Sequence, residues 1–206
     1  MKIIFSLSIL LSTIIIIFIL PLYLLVWQEK LLVHTVITTH EQLLSELSAG
    51  QYSQQVIGFL KNKSILPDIL STNETQHMQE VKNLFILGRQ LLIGGGIILF
   101  LFFLFFKYIG GTALFFKSVR YGSYTAFVLL FIFGVLTLLD FTSSFLYFHH
   151  IFFPQGNFLF PENTLLIQIF TERFFKEVSG ILWLMSFIFS GIIVVISLPR
   201  FHTKSI

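Results

Sequence analysis

The sequence predicts an all-α membrane protein with four transmembrane helices and two extracytoplasmic segments that contain short interfacial helices. Three observations predict it. The 206 residues are 55% apolar and only 11% charged, whereas a soluble domain is about 45–50% apolar and about 25% charged. Four apolar stretches each reach the roughly 20 residues that cross a bilayer as a helix. The Lys and Arg residues near these stretches lie mainly on one set of flanks.

The four predicted spans cover residues 3–27, 84–107, 124–148 and 181–198, and they belong to one membrane domain of residues 1–206. The first span is too long for the apolar part of a signal peptide, and no small-x-small cleavage site follows it. We therefore expect a retained membrane anchor. The chain has no Cys, which excludes disulfides, thiolate metal sites and a cysteine nucleophile.

The distribution of charge predicts the orientation of the spans. One set of flanks has six basic residues and no acid, namely Lys2, Lys107, Lys117, Arg120, Arg200 and Lys204. The segments 28–83 and 149–178 together have nine acids and six bases. Because loops rich in Lys and Arg stay in the cytoplasm, we expect both termini to be cytoplasmic and both long segments to be extracytoplasmic.

The first extracytoplasmic segment has apolar residues at helical spacing between residues 40 and 62, interrupted by Gly50 and Gly58. We predict two short amphipathic helices there, on or near the membrane surface. Farther along, the run Ser71–Asn73 offers a residue that caps a new helix. That helix is expected to carry His77 and to continue into the second span.

The second extracytoplasmic segment is dense in Phe and is punctuated by Pro154, Gly156 and Pro161. Pro161 suits the first turn of a helix. The stretch TLLIQIFTERFF, residues 164–175, predicts a helix embedded in the membrane interface, a depth that aromatic rings favour. A segment this apolar is expected to dock against the first segment or to contact lipid directly.

Histidines fall at the extracytoplasmic ends of two predicted spans. His77 precedes the second span, and His149 and His150 end the third, so all three belong to elements that are neighbours in a four-helix bundle. At about 100° per residue, Glu80 shares the His77 face of its helix. One interpretation is that these histidines are interfacial side chains, apolar at one end and polar at the other.

Two charged residues, Arg89 and Asp140, fall within the predicted spans. An ionisable group in hydrocarbon costs several kcal/mol by some measures and usually has a partner. Their depths are compatible, so we predict an ion pair between the second and third spans. Asp140 precedes His149 by nine residues, which places it on the opposite helix face and makes it a poor partner for that imidazole.

Three chemistries fit histidines at a membrane surface. The first is a metal site made of His77, Glu80, His149 and His150, although this set lacks zinc-protease spacing. The second is haem ligation by two histidines on neighbouring helices. The third is general acid–base catalysis, because imidazole titrates near neutral pH. The residues alone do not choose among the three.

Two short motifs favour one of these three chemistries, because they resemble the signatures of a known family. HMQEVK, His77–Lys82, and FHHIFF, Phe148–Phe153, resemble signatures near HMxDVK and FHxxFF of the lipoprotein intramolecular transacylases of Gram-positive bacteria. The resemblance covers nearly the whole chain, and its register selects His149 rather than His150. Three departures are Glu80 in place of Asp, Phe158 in place of an indole, and PENT in place of a P-x-T-D pattern.

The resemblance implies an acyltransferase of the bacterial cytoplasmic membrane with its active site at the outer leaflet. Its substrate would be a diacylglyceryl-modified lipoprotein, and an acyl chain would move from the glyceryl ester to the α-amine of the N-terminal cysteine, giving a lyso-form lipoprotein. His77 and His149 would be the acid–base pair. The tetrahedral oxyanion would need hydrogen-bond donors, for which Lys82, Arg89 or backbone amides of the loop are candidates, and Glu80 and Asp140 would have supporting roles.

The residue inventory agrees with that chemistry, because the chain has neither Cys nor a G-x-S-x-G nucleophile elbow. The substrate amine would be the nucleophile. The resemblance implies no cofactor, no metal and no nucleic acid, with lipoproteins and membrane lipid as the partners. The alternative is a non-catalytic or haem- or metal-binding membrane subunit that uses His77 and either His149 or His150 as ligands.

Overall fold

The computed structural model describes residues 2–40, 45–156 and 158–198. These residues form helices and no strand, which confirms the predicted all-α class. The helices are α1 (Lys2–Trp27), α2 (Glu29–Thr39), α3 (Glu46–Leu60), α4 (Thr72–Tyr108), α5 (Thr112–Leu139), α6 (Phe141–Phe152), α7 (Leu165–Ile169) and α8 (Glu172–Ile196). Residues 41–44 of the predicted amphipathic region and the basic residues Arg200 and Lys204 lie outside the described ranges.

Four helices are long and apolar enough to cross a membrane, which confirms the predicted number of spans. They are Ile3–Trp27, Thr72–Tyr108, Thr112–Leu139 and Glu172–Ile196. The second and the fourth extend well before the apolar stretches 84–107 and 181–198, because polar turns continue the same helices. With 37 residues, α4 is about 55 Å long at 1.5 Å per residue, and therefore exceeds a hydrocarbon core of about 30 Å.

The third apolar stretch, residues 124–148, is not one helix, because α5 ends at Leu139 and α6 begins after Asp140. Asp140 has an extended backbone, and its carboxylate oxygens accept hydrogen bonds from Ser143 N at 3.0 Å and from Ser143 Oγ at 2.6 Å. An aspartate at this position caps a helix start. The cap explains why a new helix, α6, begins after Asp140. The membrane-spanning helix is therefore Thr112–Leu139.

The chain forms two compact units. The first comprises Met1–Pro21, Gln90–Ile132 and Leu184–Ile206, and the second comprises Leu22–Arg89 and Phe133–Trp183. In the first unit α1 and α5 approach closely at Gly122, where an added Cβ would lie 2.8 Å from the Leu10 carbonyl oxygen and 2.9 Å from Thr13 Cβ. Only glycine fits between two helix backbones at that separation.

In the second unit α2 packs on α3. The prediction that Gly50 and Gly58 interrupt the amphipathic region is wrong, because α3 runs through both. A Cβ on Gly50 would lie 3.4 Å from Ile37 Cδ1 of α2, and one on Gly58 would lie 2.4 Å from Ser64 Oγ. Gly58 thus allows a close contact with Ser64, whereas the distance at Gly50 is that of ordinary van der Waals contact. Each glycine inside α3 costs about 1 kcal/mol in helix propensity.

The start of α4 confirms the predicted cap within Ser71–Asn73. Ser71 Oγ accepts a hydrogen bond from Glu74 N at 3.3 Å, and Glu74 Oε2 accepts from Ser71 N at 2.9 Å. This reciprocal arrangement is a capping box. It fixes the first turn of the helix that carries His77 and continues into the second span, as predicted.

The prediction of one helix over residues 164–175, opened by Pro161, is wrong. Residues Leu165–Ile169 form the short α7, and α8 begins at Glu172. Between them Thr171 Oγ1 donates to the Thr39 carbonyl at 2.9 Å and accepts from Phe174 N at 3.2 Å. Thr171 therefore caps α8 and holds its first turn against the end of α2, which divides the predicted helix in two.

Candidate active site

His77 and His149 meet in the second unit, as the two sequence motifs predict. His77 is on the first turns of α4 and is 7% exposed, and His149 is near the end of α6 and is 8% exposed. Their rings are stacked, with centroids 6.0 Å apart and planes inclined by 27°. Two buried titratable groups this close together are candidates for acid–base chemistry.

The orientation of His149 follows from one hydrogen bond. Its Nδ1 lies 2.7 Å from the Phe145 carbonyl oxygen, one helical turn earlier. A carbonyl only accepts, so Nδ1 carries the hydrogen and donates it. In the neutral imidazole Nε2 then has the free lone pair. The helix backbone therefore fixes the tautomer of His149 without any carboxylate, which agrees with the prediction that Asp140 does not orient this imidazole.

A set of phenylalanine rings encloses the histidine pair. The ring of Phe153 lies 4.7 Å from that of His77 and 5.5 Å from that of His149, between centroids, and therefore contacts both. Phe160 packs edge-on against His77 at 5.5 Å, and Phe158 covers His149 at 5.0 Å. The Phe-rich segment after α6 is thus folded onto the histidines, which explains how polar rings become buried in an apolar part of the molecule.

This enclosure sets the electrostatics of His149. Burial disfavours the charged imidazolium and lowers the pKa of His149 below its ordinary value of 6.5. The hydrogen bond to the Phe145 carbonyl acts in the opposite direction, and the charge of the neighbouring His150 lowers the pKa further. Burial is the largest of the three effects. His149 is therefore neutral near pH 7 and presents Nε2 as a base.

His150, which the motif register does not select, differs from His149 in its exposure to solvent. It is exposed, and its ring makes an edge contact with Phe158 at 5.1 Å. Among the residues that the structure describes, no three His, Cys, Asp or Glu side chains lie close enough to hold a metal ion. The set of His77, Glu80, His149 and His150 is therefore not assembled as a chelating group.

Of the predicted supporting residues, Glu80 and Lys82 follow His77 on α4, three and five residues later. Glu80 is half-buried, and its Oε2 is buried with no hydrogen-bond partner in the described parts of the chain. The Lys82 ammonium lies 3.9 Å from the centre of the Phe59 ring on α3, a cation–π contact. Lys82 thus links α4 to α3 in this structure.

The predicted ion pair between Arg89 and Asp140 is wrong. Both residues are exposed, and the ion pairs found among the described residues do not include them. Asp140 instead accepts hydrogen bonds from Ser143, which lower its pKa.

One residue of this region, Glu74, is not among the predicted site residues. Its side chain is 2% exposed. Beyond the capping box, its Oε1 accepts a hydrogen bond from Leu166 N at 2.9 Å, which ties the start of α4 to α7. The signal was present in the sequence, because Ser71-x-x-Glu74 has the spacing of a capping box. Its second contact joins residues 92 positions apart, and no local pattern reveals that.

Comparisons with known proteins identify the family and the fold. The sequence model of the lipoprotein intramolecular transacylase family, Lit, matches residues 1–175, while no curated protein matches significantly. The fold is similar to a solved structure of the membrane integral lipoprotein intramolecular transacylase Lit from Bacillus cereus, with a TM-score of 0.79, 16% identity, and 95% of this chain and 94% of that chain covered.

Two further solved structures of the Bacillus cereus protein match, each with one histidine substituted. The histidine-to-arginine form has a TM-score of 0.72 and 16% identity, with 96% of this chain and 90% of that chain covered. The histidine-to-alanine form has the same TM-score and identity, with 96% and 92% covered. The fold is therefore that of a membrane-integral transacylase. On the match of the family over residues 1–175, the chain belongs to the lipoprotein intramolecular transacylase family, whose members are acyltransferases.

Proposed function

We propose that this chain moves an acyl chain from the glyceryl ester of a diacylglyceryl-modified lipoprotein to the α-amine of its N-terminal cysteine, leaving a lyso-form lipoprotein. His77 and His149 act as the acid–base pair. The observation that carries the proposal is the stacked pair of buried imidazoles, 6.0 Å apart, because an enzyme without its own nucleophile needs only to move protons and to hold the substrate groups together.

In this mechanism His149 is the base. Its Nδ1 is held by the Phe145 carbonyl, so Nε2 is free to accept a proton, and burial lowers its pKa and keeps the ring neutral. An α-amine has a reference pKa of about 7.7–8.0, so a fraction of the substrate amine is already neutral at pH 7. Attack by that amine forms the carbon–nitrogen bond, and the proton leaving nitrogen passes to His149.

His77 is then the acid. When the tetrahedral intermediate collapses, the bond between the carbonyl carbon and the glyceryl oxygen breaks, and His77 gives that oxygen a proton. A proton passed from His149 back to His77 closes the cycle with no net change in the enzyme. Acid–base catalysis of this kind contributes roughly 10²–10⁴-fold in rate, and positioning of the two reacting groups contributes several kcal/mol more.

The proposed setting is the outer leaflet of the bacterial cytoplasmic membrane, with both termini in the cytoplasm and the segments 28–83 and 149–178 outside. The excess of Lys and Arg on the opposite flanks supports this orientation. Large apolar side chains that are exposed within these segments support contact with lipid, among them Ile65, Ile69, Ile151, Phe152 and Leu159. The acyl chains of a lipoprotein would reach the site from that surface.

Supporting roles differ among the remaining residues. Glu80, with a buried oxygen on the His77 helix, is proposed to orient groups around that imidazole. Lys82 is proposed to stabilise the oxyanion of the tetrahedral intermediate once the substrate draws it from Phe59. For Arg89 and Asp140 the proposed contribution is structural, since Asp140 caps the helix that carries His149.

The test is mass spectrometry of a lipoprotein's N-terminal peptide from cells expressing the wild-type chain, His149→Ala or His150→Ala. His150→Ala is the matched control, because it removes a neighbouring imidazole that is exposed and outside the stacked pair. The proposal expects an N-acylated, mono-ester cysteine with the wild type and with His150→Ala, and none with His149→Ala. An unmodified diacylglyceryl cysteine in all three samples, with the protein present in the membrane, would refute the proposed activity.

A further inference from the structure

Glu74 is a buried carboxylate that the proposed reaction does not use. Three donors face its two oxygens: Ser71 N and Ser71 Oγ lie 2.9 and 2.7 Å from Oε2, and Leu166 N lies 2.9 Å from Oε1. A carboxylate accepts hydrogen bonds at both oxygens. The first two contacts cap α4, whereas the third binds a separate element, α7.

The contact with Leu166 fixes one end of the Phe-rich loop, residues 153–156 and 158–164. The other end is fixed at α6, where Phe153 N donates to the His149 carbonyl at 2.7 Å. Between these two anchors the loop carries Phe158 over His149 and Phe160 against His77. Glu74 lies one helical turn before His77 on the same face of α4, so the carboxylate and the imidazole belong to one rigid segment.

We propose that Glu74 is a positioning residue that holds the Phe-rich loop closed over the histidine pair and thereby directs the acyl group to the amine rather than to water. The inference rests on the proposed function. It assigns to the loop a role in selecting the acceptor, since rings packed on both imidazoles exclude water from the base.

The competing reaction is hydrolysis of the same ester. A water oxygen attacks the carbonyl carbon and gives a proton to the base, the bond to the glyceryl oxygen breaks, and that oxygen receives a proton. The products are a free fatty acid and the same glyceryl alcohol that acyl transfer leaves. A base that activates the amine also activates water, so the arrangement around the histidines decides the ratio of the two products.

The experiment uses the full chain in lipid vesicles with a synthetic diacylglyceryl lipopeptide, and measures free fatty acid and N-acylated peptide together. In Glu74→Gln the side chain keeps its shape but has one acceptor oxygen and one NH₂ group, so it no longer accepts from both Ser71 and Leu166. We expect the ratio of fatty acid to N-acylated peptide to rise about tenfold, the scale of one lost hydrogen bond to a charged group.

The product ratio separates positioning from mere stability, because it does not depend on how much enzyme is folded. Glu74→Asp is the second variant. It keeps the charge but is one methylene short of Leu166, and should raise the ratio as well. Ser71→Ala removes a capping contact and leaves the Leu166 bond, and Glu29→Gln removes a carboxylate that pairs with Lys61. Both controls should keep the wild-type ratio.

Parallel loss of both products in the two Glu74 variants, at an unchanged ratio, would overturn the inference and leave the transacylase activity intact. An equal rise in the ratio in Ser71→Ala or Glu29→Gln would also overturn it, since any local destabilisation would then suffice. Wild-type protein that gives no N-acylated peptide would instead refute the proposed function, and the inference with it.

Discussion

Replacing Phe158 by alanine tests whether the aromatic enclosure sets the chemistry of the site. Phe158 is 7% exposed and its ring lies 5.0 Å from that of His149. Removal of a buried phenylalanine costs about 3–5 kcal/mol of stability, part of which depends on how far the cavity collapses. The functional effect is separate, because the vacated volume admits water next to the imidazole.

The expected direction follows from the lowered pKa of His149. Burial makes the imidazolium unfavourable, so the base stays neutral to lower pH than an exposed histidine would. Water beside the ring reverses this, and the pKa rises towards 6.5. The acid limb of the pH profile of kcat/KM therefore moves to higher pH in Phe158→Ala. Each unit of movement is a tenfold loss of neutral base on that limb, equivalent to about 1.4 kcal/mol.

The assay is the rate of N-acylation of a synthetic lipopeptide in vesicles between about pH 5 and pH 8, the range in which imidazole titrates. Phe106→Ala is the matched control, because Phe106 is 2% exposed and belongs to the first unit, with its own core partners Ile9 and Phe115. It should lose stability without any change in the acid limb. A folded Phe158→Ala protein with an unchanged acid limb would refute the reasoning.

Two predictions concern the scaffold. Gly122→Ala should destabilise the protein by about 1–3 kcal/mol, because the new Cβ meets the backbone of α1 at 2.8 Å. Thermal unfolding in detergent measures this loss. Gly191→Ala is the control and should not destabilise the protein, because no atom lies near its added Cβ. Asp140→Ala should cost about 0.5–2 kcal/mol through loss of the α6 cap and should retain N-acylation in mass spectra. Full loss of activity in a folded Asp140→Ala protein would contradict its assignment as a cap.

The sequence predicted the spans and the histidine pair because both leave local signals. Apolar runs of about 20 residues mark the helices, and two motifs that hold His77 and His149 have the order and register of a family. The prediction for Asp140 is wrong because an acid inside an apolar run is expected to lie at membrane depth. Asp140 caps the start of α6 instead, and hydrophobic periodicity does not distinguish a helix boundary from a buried charge.

The contacts that complete the site could not be predicted from the sequence, because they join distant parts of the chain. The bond from Leu166 to Glu74 and the packing of Phe160 on His77 depend on how the Phe-rich loop folds back. Pro161 illustrates the ambiguity, since proline fits the first turn of a helix and a loop equally. The structure places it in the loop, four residues before α7.

The most direct test of the central claim is a crossover experiment. Two synthetic diacylglyceryl lipopeptides, one with deuterated acyl chains and the other with unlabelled chains on a different peptide, are mixed in vesicles with the purified protein, and the products are read by mass spectrometry. Intramolecular transfer predicts that each peptide is N-acylated only with its own label. Acyl groups exchanged between the two peptides, or no N-acylation at all, would contradict the account.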